Sequence, residues 1–209
     1  MTAQREALPD EILRFWFADA LSSLEAARAR GKVWFTADPA FDVELARRFG
    51  GLPQRARTGE LDAWAGTPET ALARILVLDQ FPRNMFRGTP DAFAFDDLAA
   101  AAATEAVDHG FDVQLHPLMA SFVYLPFEHV ETAELQARAV RCFEALQARA
   151  PQGLEPMFAS FTDYAHRHRA LIERFGRFPH RNAILGRPST AEEIAYLEGG
   201  AERFGVPAG

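Results

Sequence analysis

Residues 81–84 have the sequence Phe-Pro-Arg-Asn, and residues 178–182 repeat it as Phe-Pro-His-Arg-Asn, with one inserted histidine. From the asparagine onward, both copies continue with the spacing Asn-x-x-x-Gly-x-Pro. Proline disfavours a helical conformation in the residue before it, asparagine is common in turns, and glycine followed by proline starts the chain in a new direction. The two copies therefore predict two corners between helices, and we call them the first and the second repeat.

The stretch before the first repeat predicts the centre of the fold. Residues 71–81 are apolar on nearly every side of a helix, and a helix of this kind is usually buried. Helical patterns occupy the rest of the chain, and no stretch shows the alternation that a half-buried strand requires. The sequence therefore predicts one all-α domain over residues 1–209, with roughly nine or ten helices joined by short connections.

Proline and glycine residues predict several boundaries of these helices, because proline suits the first helical turn and glycine often follows the last one. The expected boundaries are a first helix from Leu8-Pro9, a second that ends at Gly31 and leaves Trp34 and Phe35 in a connection, a long helix from Pro90 to about Gly110, a helix ended or kinked by Pro126, and a helix that ends at Gly176. The last helix begins at a capping box from Ser189 to Glu192, with the same arrangement offered one residue later by Thr190 and Glu193, and runs to about Phe204.

Composition excludes several classes of protein. The formal net charge is −7 and the pI is about 5.4, whereas binding to nucleic acid requires clustered positive charge. The single cysteine, Cys142, cannot form an internal disulfide and fits a reducing compartment. The N-terminal residues lack an apolar signal core, and no apolar run approaches the length that spans a membrane. These features predict a cytoplasmic protein that binds neither nucleic acid nor membrane.

The repeats contain many positive side chains for an acidic protein. The cationic side chains in or beside them are Arg83, Arg87, Arg174, Arg177, His180, Arg181 and Arg187. Turn chemistry explains the proline, asparagine and glycine positions but not these cations. If the two repeats face each other, the guanidinium groups, with Asn84 and Asn182 beside them, form a pocket for a carboxylate or a phosphate. Alternatively, Arg83 and Arg181 only cap helix carbonyl groups.

Asp79 and His168 are candidates for proton transfer because they fall among apolar residues. Asp79 continues the buried run and precedes Arg83 by four residues, a spacing that lets the two side chains meet on a helix. It is either a structural ion pair or a general base. His168 lies on the inward stripe of its helix and is either a hydrogen-bonded core residue or a proton-transfer group.

Glu128, His129 and Glu131 place two carboxyl groups and an imidazole within four residues. One interpretation puts them at the start of a helix, where acidic side chains complement the helix dipole. The other makes them metal ligands, which requires further ligands from His116, His168 or His180. The spacing of the histidines matches no standard metal motif, so we predict no metal and no cofactor.

Three stretches resemble one family closely. They are Leu-Asp-Gln-Phe-Pro-Arg-Asn at 78–84, Leu-Pro-Phe-Glu-His-Val-Glu at 125–131, and Arg-Phe-Gly-Arg-Phe-Pro-His-Arg-Asn at 174–182. The sequence is similar there to the proteins grouped as domain of unknown function 924. The resemblance implies an all-helical, tetratricopeptide-like array of antiparallel hairpins. It implies no activity, and Val130 stands where the family usually has serine.

These observations lead to three hypotheses of function. The first is a binding protein whose basic pocket accepts a small anionic ligand or a peptide carboxylate, with Arg83, Asn84, Arg87, Glu128, His129, Arg177, His180, Arg181 and Asn182 as ligand-binding residues. The second is an enzyme in which Asp79, His129 or His168 transfers protons while Arg83 and Arg181 hold the substrate. The third is a helical scaffold for protein partners. The sequence predicts no particular oligomeric state.

Overall fold

The structure, a computed structural model, describes the backbone of residues 2–204 and the side chains of residues 8–204. Within that range all regular structure is helical, as the sequence predicts. The α-helices are α1 Thr2–Phe17, α2 Leu24–Phe35, α3 Pro39–Phe49, α4 Leu52–Arg57, α5 Pro68–Leu78, α6 Gln80–Met85, α7 Asp96–Asp108, α8 Pro117–His129, α9 Ala133–Gln147, α10 Glu155–Phe175 and α11 Ala191–Glu198. Three 3-10 helices connect them at Asp62–Gly66, Pro90–Phe93 and Pro179–Arg181. The tetratricopeptide-like stacking of hairpins stays a prediction.

Helix α5 is central, which confirms the prediction from its apolar sequence. It packs against α1, α4, α6, α7 and α8. Within residues 71–78, only Arg74 is not fully buried. The helix begins at a capping box, in which the Thr67 hydroxyl accepts a hydrogen bond from the Thr70 N–H. It therefore fixes the position of whatever follows its last residue, Leu78.

Residues 81–84 of the first repeat are helical, so the predicted corner is wrong for them, whereas residues 86–89 after them do form a turn. Proline has no N–H, so Pro82 cannot donate to the carbonyl oxygen of Leu78, four residues earlier. The backbone hydrogen bonds of α5 therefore cannot continue through Pro82. The chain bends at Asp79 and starts again as α6. Pro82 lies in the first turn of α6, where an N–H would have no partner within the helix. The second repeat, by contrast, forms a short 3-10 helix.

Several predicted helix boundaries were wrong because tertiary packing outweighs single glycine and proline residues. Helix α2 continues through Gly31 to Phe35, and a Cβ at Gly31 would lie 3.2 Å from the Met157 methyl group, so glycine allows α2 to approach α10 closely. Helix α1 begins at Thr2 and contains Pro9, which removes one backbone hydrogen bond without ending it. Pro126 likewise lies inside α8, which continues to His129.

Two further boundaries differ near the repeats. Pro90 begins only a 3-10 turn, and α7 begins later, at Asp96. Helix α11 ends at Glu198 rather than near Phe204, because Gly200 adopts the left-handed conformation. The predicted cap of α10 is confirmed: Gly176 has φ 69° and its N–H bonds the Ile172 carbonyl oxygen.

The abundant phenylalanines pack with tryptophans between helices. Trp34 of α2 meets Phe122 of α8 edge to face with ring centres 4.8 Å apart, and Trp16 of α1 meets the same ring at 5.7 Å. Phe81 and Phe122 are fully buried. This aromatic core holds α2, α6 and α8 together on the side of the molecule where the repeats meet.

The first repeat is braced by a chain of three polar side chains. The Asn84 amide oxygen accepts a hydrogen bond from the Arg87 guanidinium at 2.6 Å, and Arg87 donates to the Asp42 carboxylate of α3 at 2.7 Å. Gly88, which follows, has φ 77°. Asparagine, arginine and a distant carboxylate thus hold the end of α6 against α3.

The second repeat uses the same arrangement. The Asn182 amide oxygen accepts from Arg187 at 3.0 Å, and Arg187 donates to the Glu131 carboxylate at 2.6 Å. Gly186 has φ 64°. Glu131 also accepts from the backbone N–H of Phe178 at 2.8 Å, so it attaches the second repeat to the segment after α8. The sequence repeat therefore corresponds to a structural one.

Candidate functional site

The two repeats converge on a single carboxylate, Asp96. Arg83 of the first repeat donates to both of its oxygens, at 2.7 and 3.0 Å, and Arg181 of the second repeat donates to one of them at 3.1 Å. Asp96 is the first residue of α7, where a carboxylate complements the positive end of the helix. The two repeats therefore face each other, which is the condition on which the predicted pocket depends, and an internal aspartate lies between them.

A cavity of about 340 Å³ lies beside this junction. This volume is within the usual range of small-molecule sites, roughly 300–1,000 Å³. Phe35 and Tyr164, which are 53% and 40% exposed, mark its mouth. The predicted site residues that line the cavity are Arg83, Asn84, Arg87, Glu128, His129, His168, His180 and Arg181. The structure thus brings most of the candidates together.

The cavity is less basic than the sequence predicts, because acidic partners occupy most of its arginines. Arg83 directs two nitrogens to Asp96, and its Nη1 also lies 3.4 Å from the Asp79 carboxylate. Arg87 is committed to Asp42 and Asn84. Of these three arginines, Arg181 has the side chain that makes the fewest hydrogen bonds, a single one to Asp96.

Arg181 is held in an aromatic and nearly dry environment. It is 6% exposed, and its guanidinium carbon lies 4.5 Å from the ring centres of both Phe93 and Phe178. Burial lowers its pKa to about 10, although Asp96 acts in the opposite direction. Its Nε is buried without a hydrogen-bond partner. An anion in the cavity would therefore find an unused donor at Arg181.

Asp79 and His129 form a buried hydrogen-bonded pair in which His129 lines the cavity and Asp79, a predicted catalytic candidate, lies outside the lining. Asp79 is fully buried, and its Oδ1 lies 2.7 Å from His129 Nδ1 while its Oδ2 accepts from the Gln80 amide at 2.6 Å. Burial opposes ionisation of Asp79, but the charges of His129 and Arg83 bring its pKa down to about 2. Burial and the Arg83 charge lower the pKa of His129. Asp79 is thus ionised and His129 neutral, with its proton on Nδ1.

Glu128 lies at the C-terminal end of α8, so the interpretation that it complements a helix dipole was wrong. That end of a helix is negative and disfavours a carboxylate. Glu128 is 4% exposed, and its Oε2 has no hydrogen-bond partner. Burial, assisted by the nearby Asp79 charge, raises the pKa of Glu128 well above its ordinary value. Burial therefore favours the neutral acid form of Glu128.

Two more imidazoles line the same cavity in neutral form. His168 Nδ1 lies 2.9 Å from the Tyr164 carbonyl oxygen, and Phe204 stacks on its ring with a centre separation of 3.6 Å. Burial lowers the pKa of His168 well below its ordinary value and that of His180 to about 3. His180 Nδ1 has no hydrogen-bond partner.

Arg177 and Asn182 lie outside the lining of the cavity, so the expectation that they contribute to it was wrong. Arg177 donates twice to Glu193, at 2.6 and 2.7 Å, and Asn182 donates to the same carboxylate and to the Ser189 hydroxyl. Glu193 also closes the capping box of α11 with Thr190. These side chains hold α11 to the second repeat, which is a structural role.

Sequence reasoning did not identify Asp96 or the aromatic wall. The missed lining residues include Trp34, Phe35, Phe93, Phe143, Phe161, Tyr164 and Phe204. Their only signal in the sequence is the general excess of phenylalanine, which does not distinguish a core from a cavity. Asp96 lay inside the helix predicted from Pro90 to about Gly110, so the sequence did not mark it as a helix start.

Residues 2–204 contain neither a metal-binding cluster nor a membrane-spanning helix. In this part of the chain, no group of three or more His, Cys, Asp or Glu side chains is placed so that it could hold a metal ion. Over the same residues, no helix combines the length and the apolar character needed to cross a membrane.

The fold and the cavity define an all-helical protein with a polar, aromatic-walled chamber at the junction of two related segments. The sequence matches the family described as "Bacterial protein of unknown function (DUF924)" over residues 12–201, and the chain belongs to this family. A solved structure titled "Structure of Protein of Unknown Function ATU0120 from Agrobacterium tumefaciens" is similar to it, with 39% identity and a TM-score of 0.78. That match covers 93% of this chain and 98% of the other. No curated protein matches the sequence.

Proposed function

We propose that the protein binds a small, largely apolar molecule that carries a carboxylate, either a free acid or the end of a peptide, with Arg181 as its anchor. The observation that carries the proposal is that Arg181 lines the cavity but its side chain makes a single hydrogen bond among the described residues, to Asp96, so most of its N–H donors are unused. A buried donor without a partner costs about 1–3 kcal/mol, so a ligand that bonds Arg181 recovers part of that cost.

The charges around Arg181 support an anion at this point. Within the described part of the chain, Arg181 has one acidic partner, Asp96, and shares it with Arg83, whose guanidinium also lies near Asp79. The faces of the Arg181 guanidinium are covered by Phe93 and Phe178, which leaves its edge for a ligand. A carboxylate can accept two parallel hydrogen bonds from such an edge. The aromatic lining suits an apolar body attached to that carboxylate.

The test is the substitution Arg181→Met. Methionine fills the space between the two rings, while Arg83 keeps Asp96 paired. We expect the affinity for an aromatic carboxylate such as 3-phenylpropionate to fall by about tenfold or more. This is the usual effect of removing one charged hydrogen-bond donor from a binding site. The measurement is isothermal titration calorimetry.

The matched control is Arg169→Met, which removes the same charge from an exposed pair with Glu173. It should leave the affinity unchanged. No binding of aromatic carboxylates to the parent protein, or equal binding by both variants, would contradict the proposal.

The Asp79–His129 hydrogen bond favours an enzyme as a second candidate. A carboxylate that holds Nδ1–H leaves the imidazole Nε2 as a proton acceptor, which is the arrangement of many general bases. His129→Gln retains a donor toward Asp79 but removes the base. If the cavity is catalytic, we expect turnover to fall by about 10²–10⁴-fold while carboxylate binding persists.

The measurement for this second candidate is an NMR comparison of carboxylate mixtures before and after incubation with protein. His166→Gln, at an exposed histidine, is the control and should convert substrate at the parent rate. Conversion by the parent and the His129 variant at one rate would argue against a catalytic role.

The chemistry of the cysteine fits the cytoplasmic location that we propose. Cys142 is partly buried on α9, and burial raises its pKa to about 11, so the thiol is unreactive. A single unreactive thiol is compatible with a reducing compartment.

A further inference from the structure

His129 and His168 line the same cavity with their ring centres 6.2 Å apart, and each ring has one nitrogen that can accept a hydrogen bond. A carbonyl oxygen only accepts, so the contact between His168 Nδ1 and the Tyr164 carbonyl places the proton of His168 on Nδ1. The contact with the Asp79 carboxylate does the same for His129. Both rings therefore offer Nε2 as an acceptor.

Glu128 adds a third group to the acceptor side of the same cavity. It is the residue before His129, its side chain is almost completely buried, and its Oε2 has no partner. As a carboxylic acid it can donate one hydrogen bond, but as a carboxylate it only accepts. The imidazoles and Glu128 thus suit a ligand group with several N–H donors.

Aromatic faces complete this environment. Trp34, Phe161 and Tyr164 line the cavity with the acceptors, and Phe35 stands at the mouth. A cation over an aromatic ring gains about 0.5–2 kcal/mol, most when it is desolvated. A positively charged amine is therefore compatible with both the polar and the aromatic lining.

The charge balance of the buried groups also permits one added cation. Arg83 and Arg181 are balanced by Asp79 and Asp96, so the cluster is neutral as long as Glu128 keeps its proton. If an ammonium group enters and Glu128 releases its proton, the cluster is neutral again. A buried ion pair with hydrogen-bonded partners is far less costly than an isolated charge.

We infer that the cavity contains a second subsite, formed by Glu128, His129 and His168, that binds a primary ammonium group of the ligand. This inference rests on the proposed function, because it assigns a further group of the same ligand. Together with Arg181, the subsite points to ligands that carry both an amine and a carboxylate around an apolar body, such as amino acids or short peptides. Entry of the ammonium ionises Glu128, and its proton leaves to solvent.

The test compares three probes that share a phenyl ring on a two-carbon chain: 2-phenylethylamine, 2-phenylethanol and 3-phenylpropionate. Binding to the parent protein is measured by calorimetry at pH 7 in two buffers of different ionisation enthalpy, which gives the number of protons released. We expect the amine to bind roughly tenfold more tightly than the alcohol, the difference that one buried charged hydrogen bond supplies. We also expect the amine to release about one proton and the alcohol none. The amine is already protonated in solution, so the proton that leaves comes from Glu128.

The matched variant is Glu128→Gln, which keeps the shape of the side chain but cannot ionise. It should abolish both the preference for the amine and the proton release, while the affinity for 3-phenylpropionate stays within about twofold, since Arg181 is untouched. The proton count on the parent protein tests the inference even if the variant does not fold.

The outcomes separate this inference from the proposed function. An amine that binds no better than the alcohol, or that binds without proton release, overturns the ammonium subsite, and binding of 3-phenylpropionate would still support the proposed function. Failure of the carboxylate and the amine alike would overturn both.

Discussion

Replacing Asp79 by Asn is expected to destabilise the protein by about 3–5 kcal/mol, the usual cost of removing one partner of a buried ion pair. Asp79 is fully buried and holds three groups at once: His129, the Gln80 amide and, at 3.4 Å, Arg83. Without the Asp79 charge, Asp96 is the one acidic partner left near the two guanidinium groups of Arg83 and Arg181. Asparagine also presents an N–H₂ group to neighbours that are themselves donors.

The measurement is chemical denaturation at pH 7. The control is Asp108→Asn, which makes the same chemical change in a pair with Arg138 where the carboxylate is 61% exposed. A surface pair of this kind contributes about 0–1 kcal/mol. If the two variants lose similar stability, the buried network does not have the importance that its geometry indicates.

The second large effect is a loss of stability in mild acid. His129, His168 and His180 are buried, and the pKa of each is lower in the folded protein than the ordinary value near 6.5. Below that value the unfolded chain binds protons that the folded protein cannot accept, so unfolding becomes more favourable as the pH falls. Each such group changes the free energy of unfolding by up to about 1.4 kcal/mol per pH unit.

Glu128 acts in the opposite direction. Its pKa is raised in the folded protein, so its contribution is complete below the unfolded value and is lost as the pH rises toward the folded value. Between pH 6.5 and 5.5, three histidines and Glu128 together predict a net loss of about 2 kcal/mol. Above neutrality, Glu128 predicts a slower decline that Glu128→Gln should remove.

Denaturation at pH 5.5, 6.5 and 8 measures these slopes. His168→Gln should reduce the loss between pH 6.5 and 5.5 by about 1 kcal/mol, because one histidine no longer titrates. His166→Gln, at a side chain that is 51% exposed, should not change the slope. A protein equally stable at pH 5.5 and 6.5 would show that the imidazoles are not held neutral.

The sequence predicted features that depend on neighbouring residues. The apolar surround of residues 71–78 indicated the central helix, the four-residue spacing indicated the contact of Asp79 with Arg83, and Gly176 and Thr190 marked helix ends that the structure confirms. Each of these rests on hydrogen bonds or packing within a few residues of chain. Local pattern is sufficient for such contacts.

Features that depend on distant residues were missed or assigned wrongly. Asp96 is 13 residues from Arg83 and 85 from Arg181, so no local pattern connects them. The role of Glu128 was misjudged because Pro126 suggested that a helix ended before it, whereas packing of α8 in the core sustains the helix to His129. The pairing of arginines with Asp96 and Asp42 also makes the cavity less positive than the repeats suggest.

The place of Trp34 has a practical consequence for experiments. Of the three tryptophans in the chain, Trp34 lines the cavity, while its indole N–H is fixed by the Trp16 carbonyl oxygen at 2.9 Å. The fluorescence emission of Trp34 therefore depends on what occupies the cavity. Because the ring is held in place, other causes of a change in this emission are limited. Fluorescence quenching or a spectral shift on addition of a compound gives a label-free screen for ligands. Phenylalanine substitutions at Trp16 and Trp64 would lower the background of that signal.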